Sequence, residues 1–211
     1  MVDTKVSALT AVASVVDAQL IPVDDAGASK SVSMLQLKAY MGDQLGNWTT
    51  AAQSPAAATL TYITGSNIAV PVGKLRIGTQ FRWLLDVSKT AFGTAVRTFH
   101  VRIGTAGTTG DAAVLTFTGT LVPTAVADNG VIEINVTIRG PLSASCIARG
   151  LFRLTHMLAT TGLSTRATEI LAVTSSAFDA TVANLIVGLS VTTGAAEVLT
   201  FEQVITEAKQ L

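Results

Sequence analysis

The side chains that could carry chemistry are scattered along this chain rather than gathered into motifs. Asp86, Asp111, Asp128, Glu133, Glu169 and Asp179 are the candidates for the paired acid and base work that cleaves glycosidic bonds. Most of them fall at strand ends, in turns or on outward faces, and Asp128 and Asp179 read as turn formers. No Gly-x-Ser-x-Gly elbow presents a serine nucleophile. His100 and His156 lie in strand-like stretches without a cysteine or a second histidine at ligand spacing, so they read as surface or core histidines. Cys146 is the single cysteine, which leaves no intrachain disulfide framework and reads as a small buried hydrophobe. The loop from Gly104 to Gly110 lacks Gly-Lys-[Ser/Thr] and a following helix, so it reads as a hairpin turn and not as a phosphate cradle. No repeated coil of the β-helix type is present. The expectation is a protein that is not an enzyme, with no catalytic residue, no metal and no cofactor.

Composition points toward assembly. Charged residues make up 13% of the 211 residues and apolar ones 49%, against roughly 25% charged in ordinary soluble domains. The mean hydropathy of +0.51 would leave an isolated monomer with an unusually apolar surface. A membrane span needs about 20 mostly apolar residues, and the best stretch, Thr181 to Ala196, is interrupted by Asn184, Gly188, Ser190, Thr192, Thr193 and Gly194. The N-terminus has no continuous apolar run and carries Asp17 in its mildest stretch, so no signal peptide and no membrane insertion are expected. Lys plus Arg and Asp plus Glu are 14 each, with no basic run, which argues against a nucleic-acid partner. Burial between copies of the chain best accounts for the apolar surplus.

The elements that must position these residues are short strands. Phe81, Trp83, Leu85 and Val87 alternate with Arg82 and Asp86; Phe99, Val101 and Ile103 alternate with Thr98, His100 and Arg102. Ala113, Leu115 and Phe117 follow, and Asp128-Asn129-Gly130 is expected as a turn. Ile132, Ile134, Val136 and Ile138 then oppose Glu133, Asn135, Thr137 and Arg139. Phe152 and Leu154 face away from Arg153 and Thr155, Glu169 to Thr174 adds a strand, and Leu185, Val187, Leu189 and Val191 form another face. The last run, Val198 to Ile205, places Leu199, Phe201 and Ile205 against Thr200, Glu202 and Val204, and its charged end at Glu207 to Lys209 has helical character. Roughly eight to ten strands without intervening helices predict a mainly β protein whose C-terminal domain, 59–211, is an antiparallel β-sandwich or jelly roll that oligomerises. Residues 42–58, with Ser54-Pro55 and an alanine run, read as a linker or arm in which Trp48 is out of place.

The N-terminal residues 1–41 form a module of their own. Leu20-Ile21-Pro22-Val23 reads as a short strand confined by Pro22 to a sheet edge, Asp24-Asp25-Ala26-Gly27 as a turn, and Ser29 to Val32 as a return strand. Ser33 stands as N-cap of a helix from Met34 to Met41, stopped by Gly42. Such a hairpin-plus-helix piece is too small for a core of its own and needs a partner surface.

Ser7-Ala8-Leu9, Leu20 to Val23, Ser29 to Ser33 and Leu35-Gln36-Leu37-Lys38-Ala39-Tyr40 resemble the N-terminal segment of tailed-bacteriophage virion proteins. The stretches TFHVRIGTAGTTGDAAVLTFTG, FRLTHMLATTG and SAFDATVANLIVGLSVTTGAAEVLT resemble the β-sandwich domains of phage appendages. The resemblance implies a homotrimeric head fibre, capsid decoration or tail fibre on the outside of the particle, made in the host cytoplasm. It implies attachment to capsid or tail proteins through residues 1–41, with Leu20, Ile21, Val23, Leu35, Leu37 and Tyr40 as the anchor contacts. The alternative is an adhesin that binds a host-surface glycan or receptor through distal loops of the sandwich.

Overall fold

A computed structural model describes residues 20–25, 28–33, 44–90, 93–196 and 198–211. The chain divides into two compact units, Met1–Asp43 and Gln44–Leu211.

In the first unit, β1 (Leu20–Asp25) and β2 (Ala28–Ser33) form a two-stranded antiparallel sheet, with Leu20 opposite Ser33 and Asp25 opposite Ala28. Asp24 and Asp25 therefore belong to the strand, and the connection shortens to residues 26–27. Pro22 pairs with Ser31, a position open to proline because both strands of a two-stranded sheet are edges. The helix expected over Met34 to Met41 lies outside the described residues.

The second unit holds two sheets. The larger one runs in the order β11-β10-β9-β6-β13-β3. Its members are β3 (Gln44–Thr49), β6 (Gln80–Lys89), β9 (Asp128–Gly140), β10 (Ile147–His156), β11 (Thr168–Thr174) and β13 (Leu199–Lys209). The smaller sheet contains β4 (Leu60–Tyr62), β12 (Ile186–Thr192), β7 (Thr98–Gly104) and β8 (Ala112–Thr118), in that order, with β5 (Ile68–Ala69) also pairing with β12. Every pairing is antiparallel. Period-two alternation decides the faces: Phe81, Trp83, Leu85 and Val87 on β6 and Ile132, Ile134, Val136 and Ile138 on β9 are buried, with Arg82, Leu84 and Asp86 and with Glu133, Asn135 and Thr137 facing the other way.

The buried faces of the two sheets share one core. Phe99 on β7 lies 5.5 Å from Phe152 on β10 and 6.2 Å from Phe201 on β13, and Phe117 on β8 lies 5.9 Å from Phe152. These ring contacts cross from sheet to sheet, each worth about 1 kcal/mol beyond the area it buries. Trp83 is fully buried and its indole N–H donates to the Ser66 carbonyl at 2.6 Å, so its one polar atom is satisfied.

Five expectations are corrected. Asp128-Asn129-Gly130 opens β9 instead of turning, because Gly130 is clamped between Val87 and His156 in the sheet. The register slips on β8 near the Val101/Arg102 pair, so Val114 is buried together with Leu115. A second slip on β13 between Phe201 and Gln203 sends Val204 inward and turns Ile205 to the outer face. The end of β13 through Lys209 is strand, held between β6 and β3, and not helix. Within the stretch read as a linker, Gln44–Thr49 forms β3, paired with β13 from Gln44–Lys209 to Thr49–Val204.

Candidate assembly surface

The buried carboxylates are engaged by backbone amides. Asp128 accepts from Leu163 N at 2.9 Å and Asn129 N at 2.9 Å, and its third contact is His156 Nδ1 at 2.6 Å. The other ring nitrogen of His156 meets the Arg166 carbonyl at 2.6 Å, so the imidazole bridges β9, β10 and the segment before β11. Glu169 accepts from the amides of Thr120 and Leu121 and from the Thr120 hydroxyl. Asp111 takes the amides of Ala106, Gly107 and Thr108 at 3.1, 2.7 and 3.3 Å, and so organises the loop that joins β7 to β8. Asp179, on the surface, accepts from the amide and hydroxyl of Thr181, which holds its carboxyl below the usual range. Among the described residues no group of three or more His, Cys, Asp or Glu side chains is placed to hold a metal ion. Cys146 is buried, and burial pushes its thiol upward.

The outer face of the smaller sheet carries a packed polar cluster. Arg102 donates to Ser190 Oγ at 2.6 Å, to the Thr109 carbonyl at 2.7 Å and to the Asp111 carbonyl. His100 Nδ1 meets Thr116 Oγ1 at 3.1 Å, and burial lowers its pKa, assisted by the Arg102 charge. The Tyr62 hydroxyl lies over Gly188 in the space a side chain there would occupy. It is buried without a hydrogen-bond partner, and burial, with the Asp111 charge, pushes it up to about 12. Period-two reading placed His100 and Arg102 on this face; Tyr62 over Gly188 has no signal in sequence.

The outer face of the larger sheet carries part of the apolar surface that meets solvent. The strand registers align Trp48, Ile205, Leu84, Glu133, Arg153 and Ile170 in one lateral row across all six strands. Trp48 is 70% exposed at one end of that row and Ile170 59% at the other. In the middle, Glu133 meets Arg82 Nε at 2.9 Å and Arg153 Nη1 at 3.8 Å. A hydrogen bond from Asn135 and these arginines hold its carboxyl below the usual range. A shallow open groove of ≈ 370 Å³ crosses the same face, lined by Asp86, Asn129, Gly130, Val131, Thr155, His156 and Met157, with Met157 78% exposed. Of the expected anchor residues, Leu20, Ile21 and Val23 lie on β1, whereas Leu35, Leu37 and Tyr40 fall outside the described residues.

The class defined by these features is an antiparallel two-sheet β protein with exposed apolar groups on one outer face. No family model matches the chain, and no curated protein matches it. Among solved structures it is similar to a protein of unknown function from Shewanella oneidensis MR-1 (8% identity, 79% of this chain and 87% of that one, TM-score 0.35). It is also similar to the CBM2 module of the evolved Dit of Lactobacillus casei BL23 phage J-1 (11%, 80% and 98%, TM-score 0.32). A further match is the structure of infectious bursal disease virus Gx strain (10%, 91% and 47%, TM-score 0.27). Likenesses at this level define neither a shared fold nor a function for this chain.

Proposed function

We propose that this chain is a non-enzymatic structural protein of a tailed-bacteriophage virion, attached through its N-terminal unit and assembled, as a homotrimer, through a jelly-roll-like two-sheet body. The observation that carries the reading is that residues Met1–Asp43, with the β1–β2 hairpin among them, form a compact unit of their own. An isolated hairpin is marginal in water and gains stability from a surface to pack on. The sequence resemblance of that segment to virion-anchoring segments supports the same reading, as does a charge content of 13%. Head and tail positions both satisfy it.

Deletion of residues 1–43 tests the proposal directly. The truncated body is expected to stay folded and oligomeric but to be missing from particles assembled in its presence, as measured by immunoblot of purified virions. Truncated protein found on virions at the full-length level would remove the anchor assignment. Light scattering of the full chain is expected to give three times the 21.7 kDa protomer mass.

A further inference from the structure

Among the described residues β3 and β11, the outer strands of the larger sheet, pair on one side only, and from the complementarity of their open sides we infer that copies of the chain join head to tail, β3 of one against β11 of the next, continuing one antiparallel sheet through the assembly. The inference deepens the assembly reading above by naming the contact. Four observations carry it.

The first is the placement of charge. Every interior strand of this sheet carries charged side chains on the outer face: Arg149 and Arg153 on β10, Glu133 and Arg139 on β9, Arg82 and Asp86 on β6, Glu207 and Lys209 on β13. The edges carry none there. β3 reads QLGNWT, and the one charged residue of β11, Glu169, is buried and occupied by Thr120 and Leu121. Edge strands that must stay unpaired normally carry lysine, proline or an inward charge, or are cut short. The smaller sheet follows that rule: β4 and β5 have 3 and 2 residues, and on β8 the Val114 carbonyl is already taken by Ser176 N. The larger sheet leaves longer edges of 6 and 7 residues: β3 carries no lysine, proline or inward charge, though Asn47 Oδ1 holds the Trp48 amide at 2.9 Å, and β11 carries a single inward charge, Glu169, already held by Thr120 and Leu121.

The second observation is strand polarity. Neighbours alternate in direction across a sheet of six strands, so β3 and β11 run opposite ways. A copy related by rotation about an axis along the strands therefore brings β11 antiparallel to β3 with no reversal, and three such steps close a trimer. The third is hydrogen-bond phase. Along any lateral row, hydrogen-bonded and non-hydrogen-bonded pairs alternate, and five pairings across six strands leave the two outer edges in phase for a sixth. The fourth is what the row alignment then brings together. Continuing the registers places Trp48 beside Ile170, Gly46 beside Ala172 and Leu45 beside Val173 of the next copy. The two most exposed apolar groups of the row cover each other, and the same register sets Asn47 beside Leu171 and Thr49 beside Glu169.

Because the contact joins two different edges, single-edge variants separate it from every face-to-face or two-fold alternative. Trp48→Lys disables the β3 edge and Ile170→Lys the β11 edge, and both positions are solvent-exposed, so circular dichroism and the unfolding midpoint should stay at wild-type values. Each variant alone is expected to run at protomer mass by light scattering at a concentration where the parent is oligomeric. An equimolar mixture is expected to give a dimer and nothing larger, since each variant supplies the edge its partner lacks. Oxidation of a Trp48→Cys, Ile170→Cys variant is expected to give intermolecular disulfides, visible as a ladder on a non-reducing gel. Parent protein at protomer mass would overturn the assembly reading together with this contact. An oligomeric parent whose variants keep its mass, a mixture that stays monomeric, or the absence of a disulfide ladder would overturn the edge contact and leave assembly to another surface.

Discussion

At the scale of single residues, close backbone approach and buried polar pairs are the sensitive points. A Cβ on Gly130 would stand 2.6 Å from the Thr155 carbonyl and 2.8 Å from both His156 Cβ and Leu163 Cδ1. Gly130→Ala is therefore expected to destabilise by about 1–3 kcal/mol, read as a lower urea midpoint at unchanged slope. Asp128→Ala removes the acceptor for two amides and for His156, and should cost roughly 3 kcal/mol or more by the same measurement. Tyr62 behaves in the opposite sense. Its hydroxyl is buried without a partner, so Tyr62→Phe should be neutral or stabilising by up to about 1 kcal/mol near neutral pH. The pH dependence follows from the raised pKa. Unfolded tyrosine loses its proton near 10.0 while the folded residue keeps it to about 12, so the native state binds more protons across that window and stability falls as pH rises through it. Tyr62→Phe should lose that part of the alkaline decline.

At the scale of elements, the alternation of apolar and polar residues made the strands legible and their local irregularities hid the exceptions. β6 and the body of β9 follow a strict period of two, and their buried faces could be read directly. Val114 and Ile205 could not, because each lies past a register slip that no residue type announces. Asp128-Asn129-Gly130 was misleading for a physical reason. Its residues suit a turn, but the aspartate is spent on amides from across the fold and the glycine on tight strand approach, both long-range demands. β3 was missed because six residues with Gly46 and no apolar alternation carry little strand signal; pairing with β13 supplies it. The Asp111 loop is likewise set by one side chain. Asp111→Ala should leave three amides of residues 106–108 without their acceptor and cost about 1–2 kcal/mol. Faster hydrogen exchange confined to residues 105–110 would check it, while exchange spread along β7 and β8 would show that the loop is not locally controlled.

At the scale of the whole molecule, a core that spans two sheets and an outer face with apolar groups at both edges of one sheet are what the proposed assembly rests on. The low charge content raises that proposal from composition alone, whereas the proposed choice of edges rests on strand order and register, both products of long-range pairing. The two tryptophans of the chain add an optical consequence. Trp83 sits fully enclosed with its N–H on the Ser66 carbonyl, and Trp48 stands in solvent at the edge of the sheet. They form two fluorophores of opposite solvation: a blue, quencher-resistant emitter that reports whether the body is folded, and a red-shifted, acrylamide-accessible one that reports whether the β3 edge is covered. In Trp83→Phe protein the remaining emission should shift to the blue and resist quenching as concentration rises, so that assembly can be followed by its own light, without a label.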